Sequence, residues 1–590
     1  MKELEYPFDS AFILRNKIRI KKFLLNEECA RTTVRIAVLG GSTTHDICNI
    51  LQLFLLNQGL EPIFYESEYN KYWEDAMFSN DKLRDFQPDL IYIHTSVKNI
   101  TVKINDTDEA KDIEQKLEWQ YQHFQEIWEK LRQNYQCPII QNNFERPLIR
   151  LYGNKDISDI HGFSNFVFRL NNRFYKYAQS VTWLYINDID YMACSYGLDR
   201  WNDMAAWYMY KYAMAVDAIP EYSYNLSNII KSLYGKNKKV LAVDLDNTLW
   251  GGVISEDGLN GIELGQDSAA GEMYGEIQKY IKRQKEIGVI LAINSKNDMS
   301  NVELAFSHSD MQLELNDFSA VNANWNNKAE NIVDIATKLN LGLDSIVFID
   351  DNPVERASVK EQFPIVAVPE LAEPERYIKI LNRAGFFEVT SLSEEDRNRT
   401  QMYQAVEEFK LESEKYTDYN EFLNNLHMEG IIQKISEENI QRIAQLTNKT
   451  NQFNLTTRRL TEDEIRSFMT DENYICLYGR LKDKFGDNGI VSVLIAKKEE
   501  KVIFIELFLM SCRVLKRGME DAMMDKLFSI LNSMECEKVI GVYYKTKKNE
   551  MVKNLYQDMG FVLQESTTDS KKFVINKTDY KERNKNIRVV

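Results

Sequence analysis

Asp244-Leu-Asp246-Asn-Thr248 follows the apolar run Val240-Leu-Ala-Val243, Asn294-Ser295-Lys296 follows Val289-Ile-Leu-Ala-Ile293, and Asp350-Asp351 follows Ile346-Val-Phe-Ile349. A carboxylate can attack phosphorus, a second can move the proton, and a hydroxyl and an ammonium group can hold the phosphoryl oxygens. Four carboxylates gathered in one place repel each other unless a cation neutralises them. Oxygen-only ligation favours Mg²⁺. The chemistry indicated is Mg²⁺-assisted phosphoryl transfer.

These groups meet only if the three runs are neighbouring strands. Short, uninterrupted apolar runs separated by helix-length segments read as buried parallel strands, and open α/β sheets bind ligands beyond the carboxyl ends of their strands. Asn352-Pro353-Val354-Glu355 supplies an N-cap, a proline at the first helical position and a capping-box Glu. A helix is expected directly behind the double Asp. Only about fifty residues separate Asp244 from Ser295 and about thirty more lead to Lys328, too few for an inserted cap domain with its own core. The site is expected to be open, which suits a large acceptor carrying a tethered group.

The ordered set resembles the haloacid dehalogenase (HAD) phosphatase superfamily. The resemblance implies roles: Asp244 as nucleophile, Asp246 as general acid and base, Ser295 on the phosphoryl oxygens, and Lys328 neutralising charge. It also implies Mg²⁺ held by Asp244, Asp350, Asp351 and the backbone carbonyl of Asp246, with Thr248 and Asn294 contacting substrate. The string Asp244-Leu-Asp-Asn-Thr-Leu-Trp250-Gly-Gly-Val-Ile-Ser-Glu-Asp-Gly258 further resembles the FkbH-like branch. So do Thr450-Asn-Gln-Phe-Asn-Leu-Thr456, Phe485-Gly-Asp-Asn-Gly489 and Met510-Ser-Cys-Arg-Val-Leu515. Members of that branch take phosphate from 1,3-bisphosphoglycerate and load the glyceryl unit on the phosphopantetheine thiol of an acyl carrier protein, in polyketide, tetronate and cell-surface glycan pathways. A small phosphorylated acyl donor and a carrier protein are the implied partners. A metabolite phosphatase and a coenzyme A-dependent sugar acyltransferase remain as alternatives.

Three α/β domains are expected over the 590 residues: an N-terminal domain (1–225), a HAD Rossmann-like core without a large cap (236–375), a charged, solvated helical connector (376–419), and an α+β domain (420–590). The first alternates strands and helices as in a flavodoxin-like parallel sheet. Its Gly40-Gly41-Ser42-Thr43-Thr44 turn resembles the nucleophile turn of SGNH hydrolases. The Asp-x-x-His pair of those enzymes is missing, since the chain reads Asp199-Arg-Trp-Asn202 and Asp203-Met-Ala-Ala206. The domain is therefore expected to be non-catalytic, with His161 as the candidate substitute base. The last domain resembles GNAT acyltransferases through Arg513-Val-Leu-Lys516-Arg-Gly518, although Lys516 stands where those enzymes have a glycine. Cys512, beside that turn and Arg513, is the candidate acyl-accepting thiol, and Arg513 a candidate substrate contact.

The net charge of −16 argues against nucleic acid or an anionic membrane as the main partner. Seven scattered cysteines without a CxxC pair give neither a disulfide framework nor a zinc site. With no apolar run of about eighteen residues, a cytoplasmic protein is expected.

Overall fold

The structure, a computed structural model, describes every residue except Glu28, Ala30, Ser79, Asn398, Glu414, Thr417 and Lys547. It gives backbone alone for Glu395, Thr400, Gln401, Gln404, Val406, Glu407, Lys410, Leu411 and Lys449. The chain forms two compact units, Met1–Lys236 and Asn237–Val590. Among the described residues no helix is long and apolar enough to cross a membrane.

The first unit is built on β1 (Thr32–Gly40), β2 (Leu60–Glu66), β3 (Leu90–His94), β4 (Ile139–Asn142) and β5 (Leu184–Asn187). They form one parallel sheet in the order β2-β1-β3-β4-β5, the flavodoxin-like arrangement. The central strands β3 and β4 are buried along their whole length, including the polar residues His94, Gln141 and Asn142 at their carboxyl ends. By contrast, β2 is an edge strand of alternating exposure containing Pro62, so it presents no apolar run by which to be found. The helix Ala110–Tyr135 covers one face through Ile113, Leu117, Phe124, Ile127, Trp128 and Leu131, a helical repeat of three and four. The helix Ile219–Leu233 buries Tyr222, Leu226, Ile229 and Ile230 in the core of the other face. The unit therefore runs to Lys236 and does not stop near 225.

The second unit holds two sheets. β6 (Val240–Val243), β7 (Ile290–Ser295), β8 (Phe318–Ala323) and β9 (Ile346–Ile349) are parallel in the order β8-β7-β6-β9. No separate cap interrupts them. The helix Tyr377–Arg383 packs Tyr377, Ile380 and Leu381 into this core, so the phosphatase-like fold extends past 375. The second sheet comprises β10 (Met428–Lys434), β11 (Phe453–Asn454), β12 (Tyr474–Asp483), β13 (Gly486–Glu499), β14 (Val502–Met510), β15 (Lys538–Tyr544), β16 (Val562–Ser566), β17 (Ser570–Asn576) and β18 (Ile587–Val589). Here β14 pairs in parallel with β15 only from Val502 to Ile505. Beyond that the two strands separate, and the chain itself fills the gap. β11 pairs with Leu509 and Met510, while Leu455 donates to Phe508 O at 3.1 Å and accepts from Tyr544 N at 2.8 Å.

The connector is not a solvated helix. Its segments Glu394–Arg397 and Arg399–Ser413 bury Tyr403 in the core beneath β6 and β9 and Phe409 in the core of the last sheet. A helix with apolar anchors in both neighbours ties them into one body.

Candidate functional site

The carboxyl ends of β6, β7 and β9 lie side by side, and each delivers its reactive residues to the same place. The Asp244 N–H donates to Ile349 O at 3.0 Å, so the hydrogen bonding of β6 and β9 carries on into the first acidic residue and fixes its direction. Lys328 starts the helix Lys328–Lys338, whose N-cap Asn327 accepts from Ala329 N. Its ammonium group is buried, 2.9 Å from Asp244 Oδ2 and 2.5 Å from Asp350 Oδ2. Burial works against that charge, but the two carboxylates outweigh it and raise the pKa of Lys328. Asp350 is fully buried. Its pKa rises to about 6, first through burial and then through the charge of Asp244, with Lys328 opposing. Asp351 shifts upward for the same two reasons.

Carboxylate oxygens of Asp244, Asp350 and Asp351 all lie within 4.8 Å of one another. Three acids share one lysine, and every donor is oxygen, so the cluster fits a hard divalent cation of the Mg²⁺ type. The side chain of Asp246 lies apart from this group. Its Oδ1 accepts from Trp250 Nε1 at 2.9 Å and from Ile254 N at 3.1 Å, and its Oδ2 from Asn297 Nδ2 at 3.0 Å. Burial nevertheless raises its pKa, the direction a proton-transferring carboxyl needs. Ser295, at the end of β7, is buried and its hydroxyl makes no hydrogen bond among the described residues.

Two expected substrate contacts also have scaffold partners. The Thr248 hydroxyl accepts the Asp351 N–H at 3.1 Å and so shapes the loop bearing the double Asp. Asn294 donates to Lys328 O at 2.9 Å and accepts from Asn331 Nδ2 at 3.1 Å. With both ends of its amide bonded to the Lys328–Lys338 helix, it positions that helix. Trp250, Asn297 and Arg356 were not singled out by sequence reasoning. Arg356 donates to the carbonyls of Asp350 and Asp351, each at 2.7 Å, and braces the acidic loop from the helix Pro353–Gln362 behind it. Its one sequence signal is a cation on the helix that the capping box predicts.

In the last domain, Cys512 opens a short 3-10 turn (Cys512–Val514), and the following helix begins only at Met519. The thiol is therefore not at an α-helix N-terminus. Its carbonyl accepts from Asn340 Nδ2 at 2.9 Å, across the contact with the phosphatase-like domain. Arg513 is buried beside it, with Nε donating to Ser511 Oγ at 3.2 Å. Lys516 adopts φ 63° and Gly518 φ 85°, so the turn keeps a left-handed shape at some cost to the lysine. Arg517 turns inward, pairs with Asp483 and stacks 4.1 Å from the Phe409 ring centroid. Glu520, at the start of the helix, is pushed up to about 7 by burial, and Asp521 is also raised. Two carboxyl groups occupy the helix end where a pyrophosphate would have to bind.

In the first unit, Ser42 follows β1, but its hydroxyl is buried and has no hydrogen-bond partner among the described residues. Gly41 cannot carry a side chain there, because a Cβ would lie 2.4 Å from Asn99 Nδ2, which donates to Gly41 O. Asp203 caps Ala206 N. Both ring nitrogens of His161 are engaged elsewhere, by Asp159 and by Asp108 O. Neither supplies Ser42 with a base.

Residues 35–231 match the model of the FkbH N-terminal domain. The N-terminal part of BF1531 from Bacteroides fragilis, containing a phosphatase domain complexed with Mg, is 28% identical. The match covers 64% of this chain and 99% of that one, with a TM-score of 0.59. The chain is thus similar to FkbH proteins in its first unit and to a phosphatase-containing relative across both units. Its second unit carries a HAD-like phosphatase domain followed by an α+β domain. That last region aligns with the ribosomal-protein-S18-alanine N-acetyltransferase from Escherichia coli (12% identity, 25% of this chain and 93% of that one, TM-score 0.21). It also aligns with a GNAT-family acetyltransferase from Streptococcus pneumoniae (14%, 25% and 99%, TM-score 0.21). No curated protein matches the chain.

Proposed function

We propose that this FkbH-like chain is a cytoplasmic Mg²⁺-dependent phosphatase and acyltransferase. On this reading it dephosphorylates a phosphoglyceryl donor of the 1,3-bisphosphoglycerate type and passes the glyceryl unit to the phosphopantetheine thiol of an acyl carrier protein. The observation that carries the phosphatase half is the convergence of Asp244, Asp350 and Asp351 around Lys328. The relative crystallised with Mg supports the choice of ion, which would be held by Asp244, Asp350, Asp351 and the Asp246 carbonyl. When bound, Mg²⁺ lowers the repulsion between the nucleophile and the phosphoryl oxygens.

In the first step Asp244 attacks phosphorus, and the bond from phosphorus to the leaving oxygen breaks. Asp246 gives that oxygen a proton. It then takes one from the water that cleaves the aspartyl-phosphate. Lys328 stays bonded to Asp244 and balances charge throughout, while the free hydroxyl of Ser295 is available to the phosphoryl oxygens. In the acyl half, the Cys512 thiolate attacks the acyl carbon and the acyl phosphate leaves as phosphate, giving a thioester that exchanges onto the carrier thiol. An uncapped phosphatase edge admits a carrier-borne group. Lys516, Glu520 and the plugged gap between β14 and β15 weigh against coenzyme A as the acyl source.

The test is phosphate release and adduct mapping with 1,3-bisphosphoglycerate generated in situ. Mg²⁺-dependent release should vanish in Asp244→Asn, and a thioester-labile glyceryl adduct should map to Cys512. Mg²⁺-dependent release of the ester phosphate, beyond the acyl phosphate expelled at Cys512, that survives Asp244→Asn sinks the phosphatase mechanism, and release with no acyl adduct reduces the protein to a plain phosphatase.

A further inference from the structure

Cys512 opens into a cavity of about 360 Å³, within the range of small-molecule sites, about 300–1,000 Å³. Three parts of the second unit wall it: the phosphatase-like domain through Lys239, Asn340 and Asp344, the connector through Arg399 and Tyr403, and the last domain through Arg442, Arg513 and Lys548. Five cationic side chains face two carboxylates, Asp344 and Asp396, in a chain of net charge −16. Both carboxylates are already matched, Asp344 by Lys548 and Asp396 by Arg399. The backbone of Lys239 is tied to Ser345 O and Ile290 N, yet its ammonium group has no hydrogen bond or ion pair among the described residues. Burial, Arg399 and Lys548 lower its pKa against the pull of Cys512 and Asp344. A half-buried cation with no hydrogen bond or ion pair among the described residues, held beside other cations and near a carboxylate already paired with Lys548, is costly unless an anion joins it.

The cavity is separate from the phosphatase site. Lys239 precedes β6 and Asp244 follows it, so the two lie at opposite edges of the parallel sheet, about 17 Å apart at the rise of an extended strand. A small acid bound at one place cannot touch the other.

We infer that the cavity between the phosphatase-like and last domains is a binding site for a small phosphorylated acid. Lys239 and Arg442 engage its phosphate and its acyl carbon faces Cys512. The assignment rests on the acyl-transfer reading of Cys512 for what the ligand does, though not for its charge. It follows that acyl capture and dephosphorylation take place at separate sites, so the phosphorylated acyl group must be released or carried on an arm before Asp244 can reach it.

The probe is 3-phosphoglycerate, and the readout is the rate of Cys512 alkylation by iodoacetamide in the full chain, followed by peptide mass spectrometry. Occupancy at ten times the dissociation constant should slow alkylation about tenfold, by 1 + [L]/Kd, whereas glycerate lacking the phosphate should not. The protection should persist in Asp244→Asn and be lost in Lys239→Gln. Should Lys239→Gln show a collapsed melting curve, Arg442→Gln on the opposite wall decides between the outcomes. Absence of protection, protection unchanged in both variants, or protection by coenzyme A but not by 3-phosphoglycerate would each overturn the assignment. Mg²⁺-dependent release of the ester phosphate that survives Asp244→Asn would instead overturn the phosphatase mechanism and leave the cavity result standing.

Discussion

The edge of the second parallel sheet at Asp244 and the edge of the first at Ser42 occupy corresponding places. Each lies just beyond a buried strand, and each bears a residue type that can act as a nucleophile. At Asp244 the neighbouring strands contribute the rest: a lysine within 2.9 Å, two more carboxylates, and an arginine holding the loop that bears them. At Ser42 the hydroxyl is sealed, Asn99 is spent on Gly41 O, and no base reaches it among the described residues. Topology thus offers a position at a strand end, and only the facing side chains turn it into chemistry.

The largest effect expected from breaking this comparison is at Lys328. Lys328→Met removes the one cation between two buried carboxylates, and stranding a buried charge costs about 3–5 kcal/mol. The melting temperature without metal should fall by several degrees and recover in part with Mg²⁺. Phosphate release should drop about 10²–10³-fold, the scale for losing one transition-state-stabilising donor. A variant that melts and turns over like the parent would show that the close contacts to Asp244 and Asp350 contribute nothing.

Next is the pH dependence of Mg²⁺ binding. The raised pKa of Asp350, about 6, means that below this value the ion must displace a proton. Its apparent affinity should fall about tenfold per pH unit below pH 6. The linkage to folding has the opposite sense. With no metal, the native state holds more protons than the unfolded chain between the ordinary Asp value and about 6. The stabilisation from this group is full at the acid end and is lost as the pH rises through 6. The melting shift caused by Mg²⁺ should therefore be largest near pH 7.5 and small at pH 5.5, as thermal scans would show. A shift that does not change with pH removes Asp350 from the binding equilibrium.

How much of this was legible follows from the same geometry. Asp244, Ser295, Asp350 and Asp351 could be read in the sequence because each stands at a boundary between an apolar strand and a turn, and Lys328 because of its place in the ordered motif set, at the start of the helix after β8. Thr248 and Asn294 look the same in sequence whether they face a ligand or a backbone N–H, and only the structure shows that Asp351 N and Lys328 O use them. Arg356 and Asn297 act through contacts across elements that spacing does not encode. The connector read as solvated because its charges are conspicuous, while Met402, Tyr403 and Phe409, its buried anchors, are too few to dominate a helical pattern. Segment 453–455, filling the gap beside β14, has no periodicity by which to be found.

A middle-sized effect separates positioning from contact. Asn294→Ala leaves Asn331 Nδ2 and the Lys328 carbonyl to find other partners, a loss of about 1–3 kcal/mol for a buried amide. Because the amide touches Lys328 only through its backbone, kcat should fall more than KM rises, and Lys328→Met combined with Asn294→Ala should be no worse in kcat than Lys328→Met alone. A KM effect with kcat unchanged would restore Asn294 as a substrate contact.

The smallest effect sharpens the other side of the comparison. The Ser42 hydroxyl is buried with no partner among the described residues, and a buried polar atom that makes no hydrogen bond gives nothing back for its lost hydration. Ser42→Ala should therefore be neutral or raise the melting temperature slightly, with phosphate release and acyl loading unchanged. A catalytic serine behaves otherwise, because removing it abolishes turnover and leaves its base without a partner. Loss of any acyl-ester hydrolysis or acyl loading in Ser42→Ala would mean that the turn opens in solution to a base that does not face it here. The first sheet would then count as a second active edge.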